Sequence, residues 1–248
     1  MKRLYFLAAI TALLCGCTNP DDNTAYEPPK LPQKTSIYLA GDSTCAPRSQ
    51  SDRPKWGWGE KFPQYIVSGY SVLNKAVGGK STKTFYTGGQ WSEIIRSLKE
   101  GDVVLIQFGH NDESTSAEDG RVTTPQEYYT NLCKFITDVK GKKSTPVILT
   151  PICRWSFADG VAKHTHKEYP EYAKKAAEDG GAVLLDIEQL TYDWLNTLGP
   201  DESYKRYMAS VDGSDTTHLV ELGATEVAEM IATALKTCGD ENLSRLVK

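Results

Sequence analysis

Val103-Val-Leu-Ile-Gln-Phe108, followed at once by Gly109-His110-Asn111-Asp112, is the stretch that decides how this chain folds. The first six residues are short, largely β-branched and bounded by glycine, the pattern of a parallel strand buried on both faces. The abrupt change to polar residues marks the strand's carboxyl end. Open α/β sheets hold their ligands at that edge, so every candidate functional motif here should fall just after a strand.

Working outward, four more runs read as strands: Ser36–Ala40, Val72–Val77, Pro146–Thr150 and Val183–Ile187. The second is the weakest, because Asn74 and Lys75 interrupt it. Helical patterns lie between them. Gln90–Glu100 aligns Trp91, Ile94, Ile95 and Leu98 on one face. Pro125–Lys140 opens on Thr124-Pro125, a cap and first-turn pair, and stops before Gly141. Tyr169–Asp179 ends at Gly180-Gly181, and Glu221–Leu235 is a terminal helix. Strands alternating with helices predict an α/β fold: a three-layer α/β/α sandwich with a five-stranded, mainly parallel sheet and right-handed crossovers. No internal repeat or second linker is visible.

The 248 residues carry 28 basic and 32 acidic side chains, a net charge of −4. There is no basic run, so nucleic acid is excluded as an expected partner. The amino terminus has a basic Met1-Lys2-Arg3, an apolar Leu4–Leu14 too short to span a bilayer, and then Cys15-Gly16-Cys17. This is the layout of an export signal. It resembles a bacterial lipobox, with cleavage after Gly16 and lipidation of Cys17. Residues 1–16 are thus expected to be a signal peptide, 17–35 a lipidated cysteine and polar, Pro-rich tether, and 36–248 the folded domain. Asp21-Asp22 resembles the surface-export signal of Bacteroidota lipoproteins. The expected location is the outer membrane, facing the periplasm or the cell surface, with the lipid anchor as the sole membrane contact.

Cys45, Cys133, Cys153 and Cys238 remain in the domain. An exported compartment permits disulfides, and four cysteines allow three full pairings. Their spacing fits no metal motif, and the favoured reading is small buried hydrophobes.

Four polar blocks follow strands or precede the terminal helix. Gly41-Asp42-Ser43-Thr44 places a serine beyond a tight turn. Thr44 and Cys45 are expected to begin a helix whose positive end lies near Ser43. A serine hydroxyl needs a base to become a nucleophile. Asp215-Thr-Thr-His218 supplies one, because a carboxylate three residues from a histidine can orient the imidazole. Asn111, after the strongest strand, offers amide protons to a developing oxyanion. Asn74-Lys-Ala-Val-Gly78-Gly79-Lys80-Ser81 lets backbone approach a ligand closely. It echoes a phosphate loop, but Asn74 stands where that motif needs glycine. Trp56, Trp58, Trp91 and Trp155 lie near these blocks as candidate sugar-stacking rings.

In this order, the blocks resemble the SGNH (GDSL-type) hydrolases, and within them most closely the rhamnogalacturonan acetylesterases and related carbohydrate acetylesterases. The resemblance runs over roughly residues 36 to 236. It is carried by Gly41-Asp42-Ser43-Thr44, Gly57-Trp58-Gly59-Glu60, Gly79-Lys80-Ser81, Phe108-Gly109-His110-Asn111-Asp112, Thr150-Pro151 followed by Arg154, and Asp215-x-x-His218. It implies a flavodoxin-like sandwich and a serine esterase with Ser43 as nucleophile, His218 as base and Asp215 as its orienting acid. The implied oxyanion hole comprises the backbone N–H groups of Ser43 and Gly79 and the Asn111 side chain. Trp58 and Arg154 are candidates for binding substrate, with a structural role as the alternative that the resemblance implies for Trp58. The implied substrate is an acetylated plant polysaccharide, rhamnogalacturonan or pectin, and no metal or organic cofactor is implied. The alternatives are a xylan acetylesterase, lipase or thioesterase on the same machinery, a non-catalytic glycan-binding lipoprotein, and an acetyl transferase. Oligomeric state is not legible.

Overall fold

The structure is a computed structural model that describes residues 35–115 and 120–248. The expected signal peptide, Cys17 and nearly all of the tether lie outside the described residues. In chain order the elements are β1 (Ser36–Gly41), α1 (Trp58–Lys61), β2 (Ser71–Asn74), α2 (Thr82–Thr87), α3 (Gln90–Ser97), β3 (Val103–Gln107), α4 (Pro125–Lys140), β4 (Thr145–Leu149), β5 (Phe157–Ala158), β6 (Val161–Ala162), α5 (Tyr169–Gly180), β7 (Val183–Leu185), α6 (Ile187–Tyr204), α7 (Ala209–Asp212), α8 (Glu221–Lys236) and α9 (Glu241–Ser244).

Five strands form one sheet in the order β2-β1-β3-β4-β7, and every neighbouring pair is parallel. The fold is the three-layer α/β/α sandwich expected from the sequence. Alternation along the strands feeds both faces. Leu39, Leu105 and Val147 are in register and pack with Val227, Ala228 and Ile231 of α8. Val104, Ile106 and Ile148 face the other way, onto Trp91 of α3, Phe135 of α4 and Ala173 of α5. Two buried faces explain why β3 reads as an uninterrupted apolar run.

Helix α4 starts and stops where its caps predict. The Thr124 hydroxyl accepts from the Glu127 N–H at 3.2 Å, and the Glu127 carboxylate accepts from the Thr124 N–H at 2.7 Å. Three expected boundaries are corrected. Strand β2 stops at Asn74 because the Asn74 side chain turns the chain, donating to the Cys45 carbonyl and accepting from the Ala76 N–H. Helix α3 stops at Ser97, and Leu98 leaves in an extended conformation to fill the core. Strand β7 stops at Leu185, because Asp186 caps a helix rather than continuing the strand. That helix, α6, was not expected from the sequence. It is broken at Gly199, whose φ of 73° precedes Pro200.

Cys45, Cys133, Cys153 and Cys238 are free thiols, so none of the three pairings is present. Burial pushes the Cys45 and Cys153 thiols up in pKa, which fits their reading as small core residues.

Candidate active site

Strand β1 delivers Ser43 to the carboxyl edge of the sheet. Gly41 is required by crowding there: a Cβ at this position would lie 2.9 Å from the Gln107 carbonyl of β3. The expected helix after Ser43 does not form. Instead the Cys45 and Ala46 N–H groups both donate to the Asp42 carbonyl, closing a single turn. The Asp42 carboxylate accepts from the Thr44 N–H at 2.9 Å and the Thr44 hydroxyl at 2.8 Å. Pro47, which has no N–H, follows directly and prevents the turn from propagating. Asp42 is fully buried. Burial raises its carboxyl pKa, offset in part by the two bonds from Thr44 and by the charges of His218 and His166.

The loop before α8 brings up the partners. His218 Nε2 lies 2.9 Å from Ser43 Oγ, and His218 Nδ1 lies 2.8 Å from Asp215 Oδ2. A carboxylate only accepts, so Nδ1 carries its proton toward Asp215 and Nε2 presents a lone pair to the serine hydroxyl. The other Asp215 oxygen accepts the N–H groups of Thr217 and His218, while the Asp215 N–H donates to Asp212. Burial alone would raise the Asp215 carboxyl. The bonds from the His218 ring and backbone, with a 3.0 Å ion pair from Lys55, outweigh it and hold the group far below the ordinary carboxylate range. Its charge therefore stabilises the fold above that range, and the contribution is lost only as the pH falls through the lowered value.

Opposite Ser43, Gly78 and Gly79 form a turn. A Cβ on Gly78 would sit 3.7 Å from the Ser43 Cβ, and Gly79 has φ +76° with open space where a side chain would be. Asn111 is buried beside this turn. Its Nδ2 donates to the Lys80 carbonyl at 3.0 Å, and its Oδ1 accepts from Arg121 at 3.2 Å. An amide nitrogen has two protons, so the Lys80 bond orients the group and leaves it the capacity to donate again. Asp112 locks the arrangement by accepting from the Thr82 N–H and hydroxyl and from the Thr123 hydroxyl. Burial pushes the Asp112 carboxyl up to about 7, against the pull of those bonds.

The two candidate substrate residues differ. Trp58 is corrected to a core residue: it is 1% exposed, and its Nε1 donates to Gln107 Oε1 at 2.7 Å. Trp91 is buried as well, and Trp56 is sandwiched between Arg53 and Lys61. Trp155 packs against Phe157 and Tyr204. None of the four is a free stacking platform.

Arg154 reaches the site. Its guanidinium donates to Thr217 Oγ1 at 3.2 Å, to the Thr165 and His110 carbonyls, and to Glu113. Glu113 also meets His166 Nδ1 at 2.9 Å, and His166 Nε2 meets the Ile152 carbonyl at 2.6 Å. Neither Glu113 nor His166 belongs to a periodic pattern or motif spacing, so neither was legible before the fold. His110 stands edge-on to His166 at 4.4 Å, and burial, reinforced by the surrounding His166, Arg154 and His218, lowers its pKa well below the usual value. A cavity of about 360 Å³ opens here, lined by His110, Glu113, Ser114, Thr115, Arg154, Thr165 and Lys167. A larger apolar cavity, about 660 Å³, lies between β7, α6 and α8 and includes none of the Ser43, Asn111, Asp215 or His218 side chains. Among the described residues no group of three or more His, Cys, Asp or Glu side chains is placed to hold a metal.

A hydroxyl on an imidazole, the imidazole on a carboxylate, and amide donors across from the hydroxyl can together take an ester through acyl transfer. Fold and site define a carboxylic ester hydrolase. The chain belongs to the GDSL-like Lipase/Acylhydrolase family, whose pattern matches residues 39–225. It is 33% identical over 214 residues to the rhamnogalacturonan acetylesterase RhgT of Bacillus subtilis, covering 82% of this chain and 90% of that protein. It is 29% identical over 227 residues to the rhamnogalacturonan acetylesterase of Emericella nidulans, covering 82% and 86%. Among solved structures, the crystal structure of the Bacillus subtilis protein YxiM is similar, with a TM-score of 0.76 and 28% identity. The match covers 84% of this chain and 58% of that longer one.

Proposed function

We propose that this enzyme removes acetyl groups from an acetylated plant polysaccharide, rhamnogalacturonan or pectin, through an acetyl-serine intermediate. Ser43 Oγ attacks the acetyl carbonyl carbon while His218 Nε2 takes the hydroxyl proton and Asp215 balances the imidazolium. The carbonyl oxygen becomes an oxyanion facing the N–H groups of Ser43 and Gly79 and the Asn111 amide. Collapse breaks the ester bond, and His218 returns the proton to the departing sugar oxygen. Water, deprotonated by His218, then attacks the acetyl-Ser43 carbonyl and frees acetate.

The observation that carries the substrate reading is the lining of the 360 Å³ cavity, whose Arg154 bonds Thr217, the neighbour of His218, and whose His110 precedes Asn111: it contains no aliphatic or aromatic residue other than histidine. Such walls suit hydroxyl and carboxylate groups of a sugar and give a long acyl chain nothing to bury against. Arg154 is paired with Glu113 in this lining, and Lys167 adds a positive charge complementary to a uronate. The acetylesterase names of RhgT and of the Emericella nidulans protein support the same reading.

Acetate release from a panel of acetylated pectin, xylan and mannan fractions tests it, beside 4-nitrophenyl esters of increasing chain length. The pectic fraction should be the best polymer, and the acetyl ester should outrun the longer ones. Preference for xylan would overturn the polysaccharide assignment, and preference for long chains would overturn carbohydrate deacetylation altogether.

We further propose that the protein is exported and anchored through Cys17 to the outer membrane, on its periplasmic or outer face. The basic start, apolar run and cysteine of residues 1–17 support this. Cys17→Ala should move the protein from the membrane to the soluble fraction on cell fractionation, and an unchanged distribution would refute the anchor.

A further inference from the structure

We infer that Lys55 is a positioning residue for the catalytic pair: its ammonium fixes the Asp215 carboxylate and tempers the negative charge that the carboxylate presents to His218. The inference rests on the triad reading proposed above. Lys55 Nζ lies 3.0 Å from Asp215 Oδ2, the same oxygen that faces His218 Nδ1. Among the described residues, the ion pairs of Asp215 are with His218 and Lys55.

Lys55 does not reach Asp215 by chance of a flexible side chain. The next residue, Trp56, is tied by its N–H to the Leu219 carbonyl at 2.9 Å, forming a bridge one residue beyond His218. Trp56 is itself held between Arg53 and Lys61, at 3.4 and 3.8 Å from its ring centre. Arg53 is locked in turn on Glu60 at 2.8 Å. The backbone that carries Lys55 is therefore stitched to the loop that carries Asp215 and His218.

Other charged groups surround the pair. Asp42 and Arg48 lie on the Ser43 loop, Arg48 donating to the Ser43 carbonyl at 2.6 Å. Asp212 accepts the Asp215 N–H from the end of α7. His110, Glu113 and Arg154 approach from the loops after β3 and β4, on the far side of Thr217. Lys55 differs from all of these in touching the carboxylate oxygen that holds the imidazole.

A cation on that oxygen weakens the pull of Asp215 on a second imidazole proton. His218 then remains a neutral base, able to accept the Ser43 proton, further into acid. The carboxylate also stays pointed at Nδ1 with its full set of donors, so the serine-facing lone pair keeps its direction.

The test is the pH profile of kcat/KM for 4-nitrophenyl acetate with the full-length protein and its Lys55→Met and Lys55→Arg variants. Lys55→Met should shift the midpoint of the acid limb upward, on the order of half a pH unit, as expected for a partly exposed charge a few ångström away. Lys55→Arg should restore the original midpoint. Lys55→Gln should show the same upward shift as Lys55→Met, so the outcome does not hinge on one variant folding. A uniform loss across pH with an unmoved midpoint in Lys55→Met and Lys55→Gln would overturn the role. If instead Ser43→Ala retains activity, the triad reading itself fails, and that outcome is distinguishable from a failure of Lys55 alone.

Discussion

Ser43→Ala is expected to reduce hydrolysis of 4-nitrophenyl acetate by a factor on the order of 10⁴–10⁶, the usual cost of deleting the nucleophile from a coupled triad. The change removes one oxygen. In the structure that oxygen bonds to His218 Nε2 at 2.9 Å. The turn that holds residue 43 is built from Asp42, Thr44, Cys45 and Ala46. It needs nothing from the serine side chain, so the thermal melt should be unchanged. Asn111→Ala gives the scale for comparison: loss of one oxyanion donor costs ~10²–10³ in turnover. The two losses should not multiply in the double variant, because the serine and the amide donor act as one unit on the same acyl-transfer step. Ser43→Ala retaining most of its activity would remove Ser43 from the chemistry and overturn the triad.

How much of this was legible in the sequence follows from how local each cause is. Helix α4 is read to the residue because its ends are fixed by Thr124, Glu127 and Gly141, all within one turn of the boundary. Strand β3 is equally plain, since burial on both faces leaves no room for a polar residue before Gln107. Strand β2 is an edge strand with alternating exposure, so its pattern is diluted. Helix α6 escaped because its first residues complete an apolar run, Val183 to Ile187, that looks like strand until Asp186 is recognised as a cap. The hairpin of β5 and β6 carried a usable local signal in Asp159-Gly160, both at positive φ. The candidate site divides in the same way. Ser43, Asn111, Asp215 and His218 sit at element ends and can be named from order alone. Glu113 meets Arg154 and His166 across 41 and 53 positions, and Lys55 meets Asp215 from the opposite end of the domain's sequence, so only the folded chain brings these groups together. The expected helix after Ser43 shows the opposite error, where a local reading ignored the proline four residues on.

Trp58→Ala is expected to lower stability by about 3–5 kcal/mol, the range for deleting a large buried aromatic. That corresponds to a Tm lower by roughly 10 °C for a domain of this size. Trp58 stands edge-on to Phe62 at 5.8 Å in the core between the sheet and α8. Its Nε1 proton goes to Gln107 Oε1, while Gln107 Nε2 donates to the Thr150 carbonyl. The indole thus links α1 to the carboxyl ends of β3 and β4, directly beneath the loops that bear Asn111 and Arg154. Trp58→Phe separates its two contributions. It keeps most of the apolar volume and leaves the buried Gln107 oxygen only a 3.3 Å contact from the Thr44 hydroxyl, which already faces Asp42 at 2.8 Å, at a cost of about 1–3 kcal/mol. Below the melting transition of either variant, KM for an acetylated glycan should stay close to the unaltered value, because a ring 1% exposed has no face to offer a sugar. A Trp58→Ala protein with an unchanged Tm and a raised KM for polymer, but not for 4-nitrophenyl acetate, would return Trp58 to the substrate-binding role that its place in the sequence first suggested.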